Sequence, residues 1–158
     1  MKIGIIGPSK LKEKEKISEV AKIIARLSLE VVLTPDKEST SEFFAKEYLD
    51  NGGKKVFEIV PLEDKEFGYD WINLDLGDKI NCGTWRNQPE KLNEECDVLV
   101  CLGYSAGGLA EIAYSKWFKP KPIYVVNELV SGKLPQEINL QLKYISINDL
   151  EKELKNVG

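Results

Sequence analysis

Asp97-Val-Leu-Val-Cys-Leu-Gly-Tyr-Ser-Ala-Gly-Gly-Leu-Ala-Glu-Ile-Ala-Tyr-Ser-Lys-Trp117 holds an unbroken apolar run, a glycine-rich turn and a helical repeat, in that order. Val98 to Leu102 has the length and continuity of a strand buried on both faces, as in the middle of a parallel sheet. Gly103 ends the run. Beyond it Leu109, Ile112, Ala113 and Trp117 recur at helical spacing, with Glu111 and Lys116 between them, which predicts an amphipathic helix from about Ala106. The first N–H groups of such a helix lack intrahelical partners and carry the positive end of its dipole, so phosphate or carboxylate is favoured there. Gly107 and Gly108 lack a Cβ and would let a ligand approach the backbone, or equally let the helix pack tightly on its strand. Glu111 falls within the first two turns, where its carboxylate is placed to face whatever the loop holds.

Lys2 to Ile6 reads as a strand ended by Gly7-Pro8-Ser9, with Ser9 a candidate cap for the next helix. Ile17, Val20, Ala21, Ile24 and Leu27 mark that helix as a long one whose charged run, Lys12 to Lys16, is a solvated face. Glu30 to Leu33 is a second strand, closed by Thr34-Pro35-Asp36. A helix from Thr40 stops at Asn51-Gly52-Gly53, and Lys55 to Val60 is a third strand. Leu62 to Gly83 shows no sustained period and reads as a long functional loop or lid, with Trp71 anchoring it to the core. Thr84 to Glu95 is helical, with Thr84 as cap and a break or new first turn at Pro89. Pro122 to Val126 and Tyr144 to Ile147 complete the strands, and Asn148-Asp149 caps a terminal helix. Short strand–helix alternation of this kind builds a right-handed, doubly wound parallel sheet with helices on both faces. The expected order is 3-2-1-4-5, in one domain over residues 1–158, with a crevice between the strands that end at Gly7 and Gly103.

Composition narrows the function classes. A formal charge of −4 implies no basic face for nucleic acid. No apolar run approaches the roughly 20 residues needed to span a bilayer, so no membrane partner is expected. Met1 to Ile6 is too short for a secretory segment, and three cysteines without paired metal spacing suit a reducing setting, so a cytoplasmic location is expected. Cys96 and Cys101 read as small apolar residues. The chain has no histidine, which removes the commonest general base, the Ser-His and Cys-His pairs and the commonest zinc ligand. Any catalysis would rest on carboxylates, tyrosine, lysine, arginine or backbone dipoles. Gly4-Ile-Ile-Gly7-Pro-Ser9 lacks the dinucleotide spacing, and Gly103 to Gly108 lacks the lysine of a P-loop.

Gly7-Pro8-Ser9, then Thr84-Trp85-Arg86-Asn87, then Gly103-Tyr104-Ser105-Ala106-Gly107-Gly108-Leu109-Ala110-Glu111 entering a helix resemble the Rossmann-like superfamily of the "Lonely Guy" phosphoribohydrolases, once described as lysine decarboxylases. The likeness extends to their small relatives and to the molybdenum-cofactor carrier proteins, and runs from Lys2 to about Asn127. Gly107 and Glu111 match the family loop PGGxGTxxE, and Thr34 to Ser41 replaces the family's earlier glycine segment. The resemblance implies a nucleotide such as AMP, or a molybdopterin-type ligand, with its phosphate held by Gly7, Pro8, Ser9, Arg86, Asn87 and the loop from Gly103 to Gly108. Glu111 would lie near the ribose. The altered first segment favours a carrier- or sensor-like protein for a small phosphorylated ligand. The alternatives are a nucleoside-monophosphate phosphoribohydrolase with Glu111 and Arg86 catalytic, a deoxyribosyltransferase-like enzyme, or a structural protein that kept only the fold. Arg86 read without the resemblance is a surface ion pair with Glu90 or Glu94. Relatives self-associate, so a homo-oligomer is expected, with Trp117 and Phe118 as a contact or as rings buried within the chain.

Overall fold

The computed structural model describes residues 1–158. Its strands are β1 (Lys2–Ile6), β2 (Glu30–Leu33), β3 (Val56–Val60), β4 (Asp78–Asn81), β5 (Val98–Cys101), β6 (Ile123–Val126) and β7 (Leu142–Ile145). They form one seven-stranded parallel sheet in the order β4-β3-β2-β1-β5-β6-β7. The expected 3-2-1-4-5 arrangement is its inner five strands, and an edge strand extends it on each side.

β1 and β5 sit at the centre, paired from Ile3 with Val98 to Ile6 with Cys101, and β5 is buried throughout. Their side chains alternate between two cores. Ile3, Ile5, Val31, Leu33, Val98 and Val100 face helices α1 (Lys14–Arg26), α2 (Thr40–Asp50) and α5 (Ile147–Val157). Ile6, Val32, Leu99 and Cys101 face α3 (Gln88–Glu95) and α4 (Ala106–Tyr114). Each such fully buried aliphatic side chain contributes roughly 1.5–3 kcal/mol, so the two-faced burial of the central strands dominates the packing. No helix is long and apolar enough to cross a membrane.

Several boundaries differ from the sequence reading. β4 lies inside the stretch read as irregular: Asp78-Lys79-Ile80-Asn81 is a mostly exposed edge strand with one apolar residue, so it carries no burial pattern. Ser9 caps nothing, because α1 starts five residues later behind Glu13, whose backbone is left-handed at φ 55°. The Thr84 side chain makes no capping bond to the backbone; a short 3-10 turn (Trp85–Asn87) leads into α3, with Pro89 in its first turn. The last strand ends at Ile145, and Ser146 rather than Asn148-Asp149 caps α5, its Oγ accepting from the Asp149 amide at 3.2 Å.

Candidate functional site

After β5 the chain turns through Gly103 and Tyr104 and enters α4 at an extended Ser105. The Ser105 Oγ accepts from the Gly108 amide at 3.0 Å, and its carbonyl accepts from Leu109 at 2.8 Å. The amides of Ala106 and Gly107 precede these and have no acceptor within their own helix. The two glycines play different parts. A Cβ at Gly108 would lie 2.8 Å from Ile6 Cγ2, so this glycine lets α4 press onto β1, whereas a Cβ at Gly107 would meet nothing within 4 Å.

Those amides border a 510 Å³ cleft at the carboxyl ends of β1, β2 and β5, where the strand order reverses direction. Gly7 and Ser9 reach it from β1, Thr34 and Asp36 from β2, Ser41 from the first turn of α2, and Trp85 and Gln88 from the start of α3. Ser105 to Gly108 and Glu111 complete it. Gln88 is only 8% exposed and ties three strand and helix ends together: its Nε2 donates to Thr34 Oγ1 at 2.9 Å and to Glu111 Oε2 at 3.2 Å. Asn93 of α3 donates to the Glu111 carbonyl at 2.7 Å, fixing α4 against α3.

Burial pushes the Glu111 carboxyl up to about 7; the Gln88 hydrogen bond opposes this and the nearby Asp36 adds to it. Asp36 is itself raised to about 6 by burial, and its Oδ1 is enclosed without a hydrogen-bond partner. The site therefore holds two carboxyl groups that change charge near neutrality, beside two free helix amides. No lysine or arginine lines it.

Gly7, Ser9, Ser105, Ala106, Gly107, Gly108 and Glu111 come together in this cleft. Pro8, Gly103 and Tyr104 line a neighbouring 590 Å³ cleft with Lys10 and Lys12, and Ser9 belongs to both. The Tyr104 hydroxyl donates to the Gly132 carbonyl at 2.9 Å. Arg86 and Asn87 line neither cleft. The 3-10 turn carries Trp85 inward and leaves the Arg86 side chain 81% exposed, with Nη2 3.5 Å from Glu66 Oε2. That partner comes from the long loop, not from Glu90 or Glu94. Asn87 Oδ1 accepts from Thr84 Oγ1 at 2.9 Å.

The long loop anchors to the rim of the cleft. Trp71 stacks on Trp85 with ring centres 5.3 Å apart, the Trp85 Nε1 donates to Gly68, and Asp36 forms a bridge with Ile72. Asp64 accepts from the Phe67 and Trp85 amides at 2.8 and 3.0 Å. Asp36, Gln88, Thr34, Ser41 and Trp85 do not stand out as site residues in the sequence. Trp85 is written only as a neighbour of Arg86, and Gln88 only as a polar residue directly before the Pro89 of a new helix.

No family model and no curated protein matches this sequence. Solved structures do match over nearly its whole length. The molybdenum cofactor carrier protein from Chlamydomonas reinhardtii aligns at a TM-score of 0.78 and 18% identity, covering 99% of this chain and 96% of that one. The molybdenum cofactor binding protein from the phototrophic bacterium Rippkaea orientalis aligns at 0.75 and 17%, again covering 99% and 96%. The chain thus has the Rossmann-like α/β fold that these molybdenum cofactor proteins share.

Proposed function

We propose that the 510 Å³ cleft binds a small phosphorylated ligand and that the protein acts as a carrier or sensor for it, within the Lonely Guy-like superfamily. The observation that carries this is the open backbone at Gly107: two helix amides without intrahelical acceptors, beside a position where nothing stands within 4 Å of a Cβ. A nucleotide such as AMP or a molybdopterin-type cargo supplies the phosphate. No three His, Cys, Asp or Glu side chains converge to hold a metal, so a metal-bearing cargo would keep its metal on its own ligands.

A second reading, N-glycosidic hydrolysis of a nucleoside monophosphate, is favoured by Glu111. A carboxyl raised to about 7 is suited to exchanging a proton with a departing base or an attacking water. One experiment separates the two. With AMP in a calorimeter, Gly107→Leu should lower affinity about 100-fold, the equivalent of two charge-assisted hydrogen bonds of roughly 1.5 kcal/mol each. Its melting temperature should match that of the parent chain. Equal affinity in parent and variant defeats the cleft assignment. Adenine released by the parent and not by Glu111→Gln replaces the carrier with the hydrolase.

Self-association belongs to the same proposal. Trp117, 77% exposed beyond α4, and the exposed Tyr114 three residues before it form the seam. Sedimentation should give an oligomer for the parent chain and a smaller species for Trp117→Ser. A monomeric parent removes this part of the proposal.

A further inference from the structure

We infer that Glu58 is a pH-operated latch on the long loop, gripping the loop's trailing end, and through it the rim of the 510 Å³ cleft, more firmly as the medium becomes acidic. The inference goes beyond the ligand reading and does not depend on what the cleft binds. Glu58 lies on β3 between Leu33 of β2 and Lys79 of β4, and it is fully buried. Its Oε1 accepts from the Leu76 amide at 3.2 Å, and its Oε2 is enclosed with no hydrogen-bond partner. A neutral carboxyl tolerates that enclosure, whereas a carboxylate with one bond lacks the water or cation it needs. Of the charged groups acting on Glu58, Lys79 favours the ionised form and Asp75 of the loop opposes it, and neither is bonded to it. On α2, Glu42 is already engaged by the Glu38 amide, Asn73 Nδ2 and Lys46. Ionised Glu58 is therefore hydrated only when the segment bonded to it lifts.

That segment leads to the cleft. The Asn73 amide donates to the Pro35 carbonyl at 2.9 Å, the Lys37 amide donates to the Trp71 carbonyl at 2.7 Å, and Trp71 stacks on Trp85. Pro35, Asp36 and Lys37 belong to the turn after β2, and Asp36 and Trp85 line the cleft. The leading end of the loop is tied separately, through Asp64 to the Phe67 and Trp85 amides. Lifting at Leu76 thus loosens Asn73 and Trp71 before it reaches Asp64. Burial holds the Glu58 carboxyl at about 7 in the closed loop, and water returns it toward 4.5 in the opened one. The opened form sheds its proton first, so the opening constant climbs as pH rises from about 4.5 to about 7 and then levels off.

Amide hydrogen exchange of the full chain at pH 5 and pH 8, each rate divided by the intrinsic rate at that pH, tests this. The amides of Leu76, Asn73 and Lys37 should share one opening constant, roughly 50- to 100-fold larger at pH 8 than at pH 5. At both pH values it should exceed, by about tenfold or more, the constant for the Leu99 and Leu102 amides at the centre of the sheet, as a local opening does. Glu58→Gln should remove the pH dependence and leave the three amides at their acid value. Asp36 and Glu111 titrate in parent and variant alike and drop out of the difference. If glutamine prevents folding, the constants of the parent chain decide alone. Loop and sheet amides with the same constant show that only global unfolding exposes Glu58, which overturns the latch. A loop constant that does not rise with pH, or that rises equally in the variant, overturns it as well.

Discussion

At pH 8 the Glu58→Gln variant should unfold at a higher temperature than the parent chain, and at pH 5 the two should converge. Glu58 is fully buried on β3; its Oε1 accepts from the Leu76 amide at 3.2 Å, and its Oε2 has no partner. Burial raises this carboxyl from 4.5 to about 7, against the opposing pull of the Leu76 bond and Lys79. A folded-state pKa above the unfolded one means that the native chain binds the proton more tightly. The stabilisation is therefore complete below about pH 4.5 and is lost as pH rises through about 7. The loss is on the order of 3 kcal/mol. Glutamine has the shape of the protonated acid, keeps a carbonyl for Leu76 and never ionises. For a chain of this size the expected gain at pH 8 is roughly 6–12 °C. Asp36 and Glu111 titrate in the same direction in both proteins, so the difference between parent and variant isolates Glu58. A difference that stays constant from pH 5 to pH 8 would show that the carboxyl is not the group responsible.

Gly77→Ala should be the most damaging single methyl in the molecule. A Cβ there would lie 1.9 Å from the Val56 carbonyl oxygen and 2.6 Å from its carbon. These are backbone atoms at the start of β3, beside the pairing of Phe57 with Asp78, so relief requires the strands to separate. The expected loss is about 3 kcal/mol or more, with a melting temperature lower by roughly 6–12 °C. Leucine at Gly107 provides the contrast, a larger addition on a glycine with nothing in its way. A melting temperature for Gly77→Ala within 2 °C of the parent would mean that the β3 start yields more easily than its geometry allows.

The inner sheet was legible because its strands are buried on both faces and announce themselves as continuous runs, Val98 to Leu102 above all. β4 was not, since Asp78, Lys79 and Asn81 face solvent on an edge and only Ile80 turns toward other apolar side chains. The site divided in the same way. Ser105 to Gly108 and Glu111 form one local unit, strand end to helix start, whose spacing is written in consecutive residues. Asp36 and Gln88 join them only because β2 lies beside β1 and α3 packs on α4, which no spacing within either segment reveals. Arg86 shows the converse. Its neighbours in sequence suggested a direction for the guanidinium, but a 3-10 turn rotates it out while Trp85 goes in.

The central place of β1 also bears on how the chain is made. Its first neighbour, β2, leaves the ribosome soon after it, but its second, β5, begins only at Val98. At ordinary synthesis rates the open side of β1 waits roughly 5–18 s for that partner. During this interval the nascent sheet ends in a bare apolar edge at β1, the kind of edge along which two growing chains can pair.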